Sequence, residues 1–140
     1  MIPVKAPGFW ASPSSGFPYP ANPVIVLALR KVISTYSGYC INVRRSSDDT
    51  TQDIGFSGND LDIASMMSFV GSNDGFVTTI YDQSTTAGTA SNSTLSQQPY
   101  IVVGGVMCSL NSQPVMWTPS DRYLGYNSNP ISNNEAEFTF

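Results

Sequence analysis

The sequence predicts a mainly β protein with two short N-terminal helices and an extended, proline-rich arm. Only 11% of the 140 residues are charged and 41% are hydrophobic, while Ser, Thr, Asn and Gly fill much of the remainder. This composition is typical of strands and loops rather than of helical bundles. At 15.1 kDa the chain can build one core, so we expect a single domain, residues 24–140, preceded by the arm, residues 1–23.

The arm holds more than half of the ten prolines of the chain, interleaved with the aromatic residues Phe9, Trp10, Phe17 and Tyr19. Because proline removes a backbone donor and fixes φ, we expect an extended, polyproline-like segment. Disordered linkers are usually poor in aromatic residues. We therefore expect these four side chains to contact a neighbouring subunit, with docking on the arm's own domain and a tail without contacts as the alternatives.

After the arm, Leu29, Val32, Ile33 and Tyr36 recur at helical spacing before a Ser-Gly stop, which predicts a first helix over residues 28–36. Residues 40–45 then alternate as a half-buried strand does, residues 46–51 form a turn, and residues 52–57 are the return strand.

A second helix is predicted from Asn59 or Asp60 to Gly71, with Leu61, Ala64 and Met67 on its apolar face. Residues 85–98 are polar and rich in Ser and Thr, so we expect a long exposed loop there. The remaining β-prone runs predict strands at residues 75–81, 100–107, 114–118, 122–126 and 137–140.

Composition also excludes several classes of function. The net charge of −4 offers no basic surface for nucleic acid. Histidine is absent, which excludes a Ser-His-Asp triad and histidine metal sites within this chain. Cys40 and Cys108 are not in a CxxC cluster and are read as two buried thiols, with a disulfide as the alternative. No apolar run resembles a signal peptide or membrane span, so we expect a soluble product with no cofactor and no membrane partner.

Several short motifs occur in order and at close spacing along the middle of the chain. They are LRK at 29–31, YSG at 36–38, VRRSSD at 43–48, QDIGF at 52–56, FVG at 69–71, YDQS at 81–84 and QP at 98–99. In these motifs the chain resembles the N-terminal half of the arabinofuranosidase B catalytic domain. It resembles still more closely the lectin-like modules of tailed-phage structural proteins.

The resemblance implies a concanavalin A-like, jelly-roll β-sandwich. It implies a non-enzymatic virion structural protein, either a capsid decoration or cement protein or a tail appendage subunit, assembled in the host cytoplasm. The expected partners are other virion proteins and further copies of the chain, with a trimer as the favoured homo-oligomer. A glycan-binding adhesin module for host attachment is the second reading, and a truncated arabinofuranosidase-type glycoside hydrolase is a distant third.

Four side chains are candidates for binding a ligand or for anchoring a loop: Tyr81, Asp82, Gln83 and Trp117. Asp and Gln offer the acceptors and donors that sugar hydroxyls need, but Asp82 can equally accept bonds from backbone amides of the following loop, and we favour that structural role. Trp117, like Tyr123, can stack on a sugar ring, although an aromatic residue on a strand is more often part of a core.

Arg44 and Arg45 point to opposite faces of one strand, so they cannot share a role. We expect one of them to form a partly buried ion pair with Asp53 and the other to face solvent or a subunit. Glycoside hydrolysis needs two carboxylates across the scissile bond. The aspartates here are scattered along the chain, so no catalytic residue is assigned.

Overall fold

The structure, a computed structural model, describes residues 23–126. Almost all of the predicted arm lies outside the described residues, together with its expected interface residues Phe9, Trp10, Phe17 and Tyr19. The strand predicted at residues 137–140 lies outside them as well.

The described part of the chain is mainly β, with antiparallel pairing throughout and one short α-helix. Its elements in chain order are β1 Ile41–Arg45, β2 Thr51–Ile54, β3 Phe56–Ser57, β4 Asp60–Leu61, α1 Ile63–Val70, β5 Gly75–Tyr81, β6 Thr89–Ser91, a 3-10 helix Leu95–Gln97, β7 Tyr100–Val103, β8 Val106–Met107, β9 Ser109–Leu110, β10 Gln113–Pro114 and β11 Gly125–Tyr126.

The main sheet has seven strands in the order β11-β6-β5-β1-β2, with β7 and β8 attached beside β5. On one edge β5 pairs with β1 along most of its length. The other edge of β5 pairs with two strands, since β7 pairs with the beginning of β5 and β6 with its end. The predicted β class is confirmed. A second large sheet that would close a sandwich is not among residues 23–126, so the sandwich stays a prediction.

The hydrophobic core lies between this sheet and α1. Met66 and Val70 of α1 are fully buried against strand residues such as Val43, Val77 and Val102. Burying side chains of this size contributes about 1.5–3 kcal/mol each relative to exposing them. The helix α1 therefore covers one face of the sheet and leaves the opposite face uncovered by this helix.

The predictions for β1 and β5 match the structure, since the strands span Ile41–Arg45 and Gly75–Tyr81. The second predicted helix is also present, and it ends before Gly71, whose φ is 61°. It begins later than expected, however, with Asp62 rather than Asn59 or Asp60 accepting a hydrogen bond from the Ser65 amide. Asp60 instead pairs with β3 in a short hairpin.

The first predicted helix, over residues 28–36, is wrong, because this segment has no helix. Its backbone groups bind side chains and strands that are distant in sequence. The side chain of Gln83 donates to the carbonyl oxygens of Ala28 and Arg30 and accepts from the Val32 amide. The Lys31 amide donates to the Asn59 carbonyl at 2.7 Å. These bonds replace those that a helix would make within itself.

Other element boundaries also differ from the predictions. The return strand over residues 52–57 divides at Gly55 into β2 and β3, and the strand over 100–107 divides at a two-glycine turn into β7 and β8. The loop over 85–98 contains β6 and the 3-10 helix. The strand predicted at 114–118 is reduced to one residue of β10 and an isolated bridge at Trp117. The strand predicted at 122–126 is reduced to β11.

Candidate functional site

Asp82 is the first residue after β5, and its carboxylate is 1% exposed. Its Oδ1 accepts from the amides of Val26 at 2.7 Å and Ser84 at 2.8 Å. Its Oδ2 accepts from the hydroxyls of Tyr126 at 2.7 Å and Ser84 at 2.8 Å. The carboxylate thus joins the N-terminal segment, the loop after β5 and the last described strand.

These bonds determine the charge state of Asp82. Burial by itself opposes ionisation, but the hydrogen bonds from Tyr126, Ser84 and Val26 outweigh it and lower the pKa of Asp82 below its ordinary value. The group is therefore a carboxylate at neutral pH. That suits an anchor, whereas a general acid needs a raised pKa.

The neighbouring motif residues also bind the protein itself. Gln83 is 2% exposed, and its amide holds the segment before β1 as described above. The Tyr81 hydroxyl donates to Asp53 at 2.7 Å. Burial, together with this bond to Asp53, raises the pKa of Tyr81. The loop-anchoring role predicted for Asp82 agrees with its bond from the Ser84 amide.

Both arginines form ion pairs, but not with Asp53. Arg44 pairs with Asp49 at 2.5 Å, and Arg45 pairs with Asp48 at 2.7 Å. The expected pair with Asp53 is therefore corrected. The turn between β1 and β2 returns Asp48 and Asp49 to the arginines just before it.

Asp53 lies beside a different residue of β1. The register of β1 and β2 places it opposite Asn42, whose side-chain amide donates to it at 2.9 Å. Arg44 faces Thr51 in the same register. The Arg45 side chain lowers the pKa of Asp48, with help from Thr50.

The two arginines do occupy opposite faces of the sheet. Arg45 donates to the Phe69 carbonyl of α1 at 2.8 Å, so it lies on the face that α1 covers. Arg44 lies on the other face, where it donates to the Gln98 side chain at 2.7 Å and stacks 4.3 Å from the Phe76 ring centroid. The predicted opposite orientation is thus present, but the predicted division of roles is not, because both arginines are ion-paired.

On that second face, one residue from each of four neighbouring chain segments forms a continuous row across the sheet. Arg44 pairs in register with Phe76, Phe76 with Tyr100, and Tyr100 with Trp117. The ring centroids are 4.7 Å apart for Phe76 and Tyr100 and 5.4 Å apart for Tyr100 and Trp117. We call these three aromatic residues, together with Arg44 at one end, the aromatic row.

Exposure rises along the aromatic row, from 6% at Arg44 and 8% at Phe76 to 51% at Trp117. Two backbone hydrogen bonds between Tyr100 and Trp117, of 2.8 and 3.0 Å, hold the exposed end in place. The row therefore presents a large, fixed aromatic side chain to solvent.

Arg122 lies against the row. Its guanidinium is 4.3 Å from the Tyr100 ring centroid, and it donates to the Gln98 carbonyl and to the Tyr100 hydroxyl. Among residues 23–126 it has no carboxylate partner. The sequence motifs did not indicate Arg122, Phe76 or Tyr100 as site residues, because only the strand register brings them together.

Trp117 does not share a site with Tyr81, Asp82 and Gln83. The row crosses β5 at Phe76, whereas Asp82 follows the other end of that strand. Six residues of strand span about 20 Å. The four candidates thus fall into two separate places: an internal anchor and an exposed aromatic row.

Other candidate chemistry is sparse in the described part of the chain. Residues 23–126 contain no group of three or more metal-binding side chains and no helix that could span a membrane. Cys40 and Cys108 are both free thiols, with Cys40 buried and Cys108 partly buried. Burial raises the pKa of Cys40 to about 12, so this thiol is not a nucleophile at neutral pH.

Comparison with known proteins supports the arabinofuranosidase part of the motif resemblance. The family model described as alpha-L-arabinofuranosidase B, catalytic, matches residues 17–115, well over half of the chain. The chain belongs to this arabinofuranosidase B family.

One solved structure to which the chain is similar is the "GH54 a-l-arabinofuranosidase soaked with cyclic sulfate inhibitor". It is 30% identical over 49% of this chain, with a TM-score of 0.45. The match spans only 15% of that enzyme. The search of curated proteins gave no match.

Proposed function

We propose that this chain is a non-enzymatic structural protein of a tailed-phage virion, built on an arabinofuranosidase B-family scaffold. A capsid decoration or cement protein and a tail appendage subunit are the two forms it would take. The virion setting follows from the resemblance to phage lectin-like modules, and the proposed partners are other virion proteins and further copies of this chain.

The observation that carries the non-enzymatic part is the state of Asp82, the only fully buried carboxylate among residues 23–126. It belongs to the YDQS motif, yet it is ionised and bound by backbone amides and hydroxyls of its own chain. A glycosidase acid needs a raised pKa and a second carboxylate about 5–9.5 Å away. The pKa values of Asp48, Asp62 and Asp82 are all lowered.

The virion role is tested in purified particles of the phage that encodes the chain. Quantitative mass spectrometry should find the chain in particles banded by density, at a fixed ratio to the major capsid protein. Its presence only in the lysate, and its loss from banded particles, would count against the role.

The non-enzymatic part is tested with an aryl arabinofuranoside. We expect no release of the aryl group above a buffer control. Release that Asp82→Asn abolishes, while Asp121→Asn leaves it intact, would show that the family's activity is retained.

A glycan-binding adhesin is the second candidate, and the exposed Trp117 favours it. An indole that is fixed at 51% exposure can stack on the apolar face of a sugar ring. Binding on a glycan array that Trp117→Ala abolishes would support this function over the purely structural one.

A further inference from the structure

We propose that the aromatic row is a docking site for the proline-rich arm of a second copy of this chain, with residues 17–20, Phe-Pro-Tyr-Pro, as the segment that binds. This inference goes beyond the proposed function and does not depend on the virion setting. It joins a surface that the structure describes to a segment that lies outside the described residues.

The first argument is hydrogen-bond complementarity. The exposed end of the row offers donors, because Trp117 Nε1 can only donate and has no partner among residues 23–126, and Arg122 has no acceptor atom. Two of the five N–H groups of Arg122 bind Gln98 and Tyr100. A proline-rich segment offers acceptors instead of donors, since proline lacks an N–H and a polyproline helix leaves its carbonyl oxygens unbonded.

The second argument is shape. Proline rings dock on flat aromatic surfaces, and the extended polyproline conformation loses little entropy on binding. Tyr100 and Trp117 form such a surface, and Tyr123, which is 54% exposed, lies one residue after Arg122. The Tyr123 amide donates to the Gln97 carbonyl at 2.9 Å, so its backbone is fixed too. The surface is therefore ordered before any partner binds.

The third argument is reach, and it selects a second copy over the chain's own arm. The Val24 carbonyl accepts from Thr86 Oγ1 at 2.6 Å, which fixes the base of the arm beyond the end of β5. From there Trp117 lies about 20 Å along the sheet and about 10 Å across it, or about 22 Å in all.

In a polyproline conformation of about 3.1 Å per residue, Phe17, Pro18 and Pro20 would extend about 22, 19 and 12 Å from Val24. Only the first residue of the segment would reach its own Trp117, so the segment as a whole could not lie along its own row. A neighbouring copy has no such restriction, so exchanged arms would occupy both rows of a symmetric pair or ring.

The test uses the full chain with Tyr19 replaced by the photoreactive residue p-benzoylphenylalanine. Chains with natural and with heavy nitrogen isotopes are mixed, so that mass spectrometry separates links between copies from links within one copy. We expect links between copies that map to Tyr100, Trp117 and Tyr123.

Trp117→Ala should reduce these links at least about tenfold, because a central tryptophan commonly dominates such a contact. Tyr39→Ala is the matched control, since Tyr39 is also 54% exposed but lies at the other end of the sheet, and it should leave the yield unchanged. Trp117→Phe keeps an aromatic ring but loses the indole N–H, so it should give an intermediate yield of links. It also controls for misfolding of Trp117→Ala.

Three results would overturn the proposal. The first is links found only within single copies, which would mean that the arm docks on its own domain. The second is links that map away from the row or are unchanged in Trp117→Ala. The third is a glycan that binds in a Trp117-dependent way without reducing the links, which would make the row a sugar platform.

Discussion

The buried charge of Asp82 is stable only because hydrogen-bond donors from its own chain surround it. A carboxylate without partners in this position would be strongly destabilising. Here backbone amides from two segments and hydroxyls from two side chains satisfy it. One residue thereby fixes the start of the described chain, the loop after β5 and β11, which are remote from one another in sequence.

Asp82→Asn should destabilise the domain by about 2–3 kcal/mol, because it removes charge-assisted bonds and turns one acceptor into a donor that faces other donors. Urea unfolding followed by far-UV circular dichroism measures this. Asp121→Asn, at an exposed position, should change stability by less than about 0.5 kcal/mol. Equal effects of the two substitutions would contradict the anchoring role.

The lowered pKa of Asp82 also predicts how stability depends on pH. An unfolded aspartate titrates near pH 3.9, and the folded Asp82 titrates lower. Its contribution is therefore complete above about pH 4 and is lost as the pH falls through the folded pKa, since the unfolded state binds the proton first. Below about pH 4, unfolding free energy should fall more steeply in the wild type than in Asp82→Asn. Parallel curves would argue against this.

Among the elements, the β7–β8 hairpin shows how a turn sets the position of a strand. Gly104 and Gly105 both have positive φ, 55° and 77°, which fits a two-residue type I′ turn. A Cβ on Gly105 would lie 2.9 Å from Ser72 Cα and 3.0 Å from the Gly71 carbonyl, whereas one on Gly104 would meet no atom within 4 Å. The hairpin therefore packs backbone to backbone on the end of α1.

Gly105→Ala should cost about 3 kcal/mol, from the left-handed conformation plus the backbone clash, while Gly104→Ala should cost only the conformational part, about 1 kcal/mol. Thermal unfolding of the two variants measures the difference. If both variants lose the same stability, the hairpin does not approach α1 closely in solution.

For the whole molecule, the two faces of the sheet have different uses. One face is closed by α1 over the apolar core, and the other carries the aromatic row with its exposed tryptophan. Large, ordered aromatic side chains next to an arginine are typical of the centres of protein interfaces. Residues 23–126 thus contain an apolar core and a separate surface suited to assembly.

Deletion of residues 1–22 should leave the domain folded, with an unfolding midpoint within about 2 °C of the full chain, because α1 and the main sheet supply the core cluster that includes Met66, Val77 and Val102. The same deletion should convert an oligomer to a monomer in light scattering across a range of concentrations. A domain that unfolds on deletion would place the arm in the core. A full chain that is already monomeric at every concentration would rule out arm-driven assembly.

Much of the fold was predictable because its signals are local. The β-branched and aromatic run Gly75–Tyr81 gives the exact bounds of β5, and Gly71 marks the end of α1 because a left-handed residue there favours glycine. The division of residues 100–107 into β7 and β8 also has a local signal, since Gly-Gly between two β-prone runs indicates a hairpin.

What only the tertiary structure decided are the partners that come from distant parts of the chain. Residues 28–36 have helical periodicity, yet Gln83, 51 residues after Val32, supplies hydrogen bonds that hold the first part of the segment in a non-helical conformation. The sequence determined where β1 and β5 form and which residues are apolar, because these depend on neighbours along the chain. Strand register alone placed Asp53 beside Asn42 and aligned Phe76, Tyr100 and Trp117, because register is set by packing across the whole sheet.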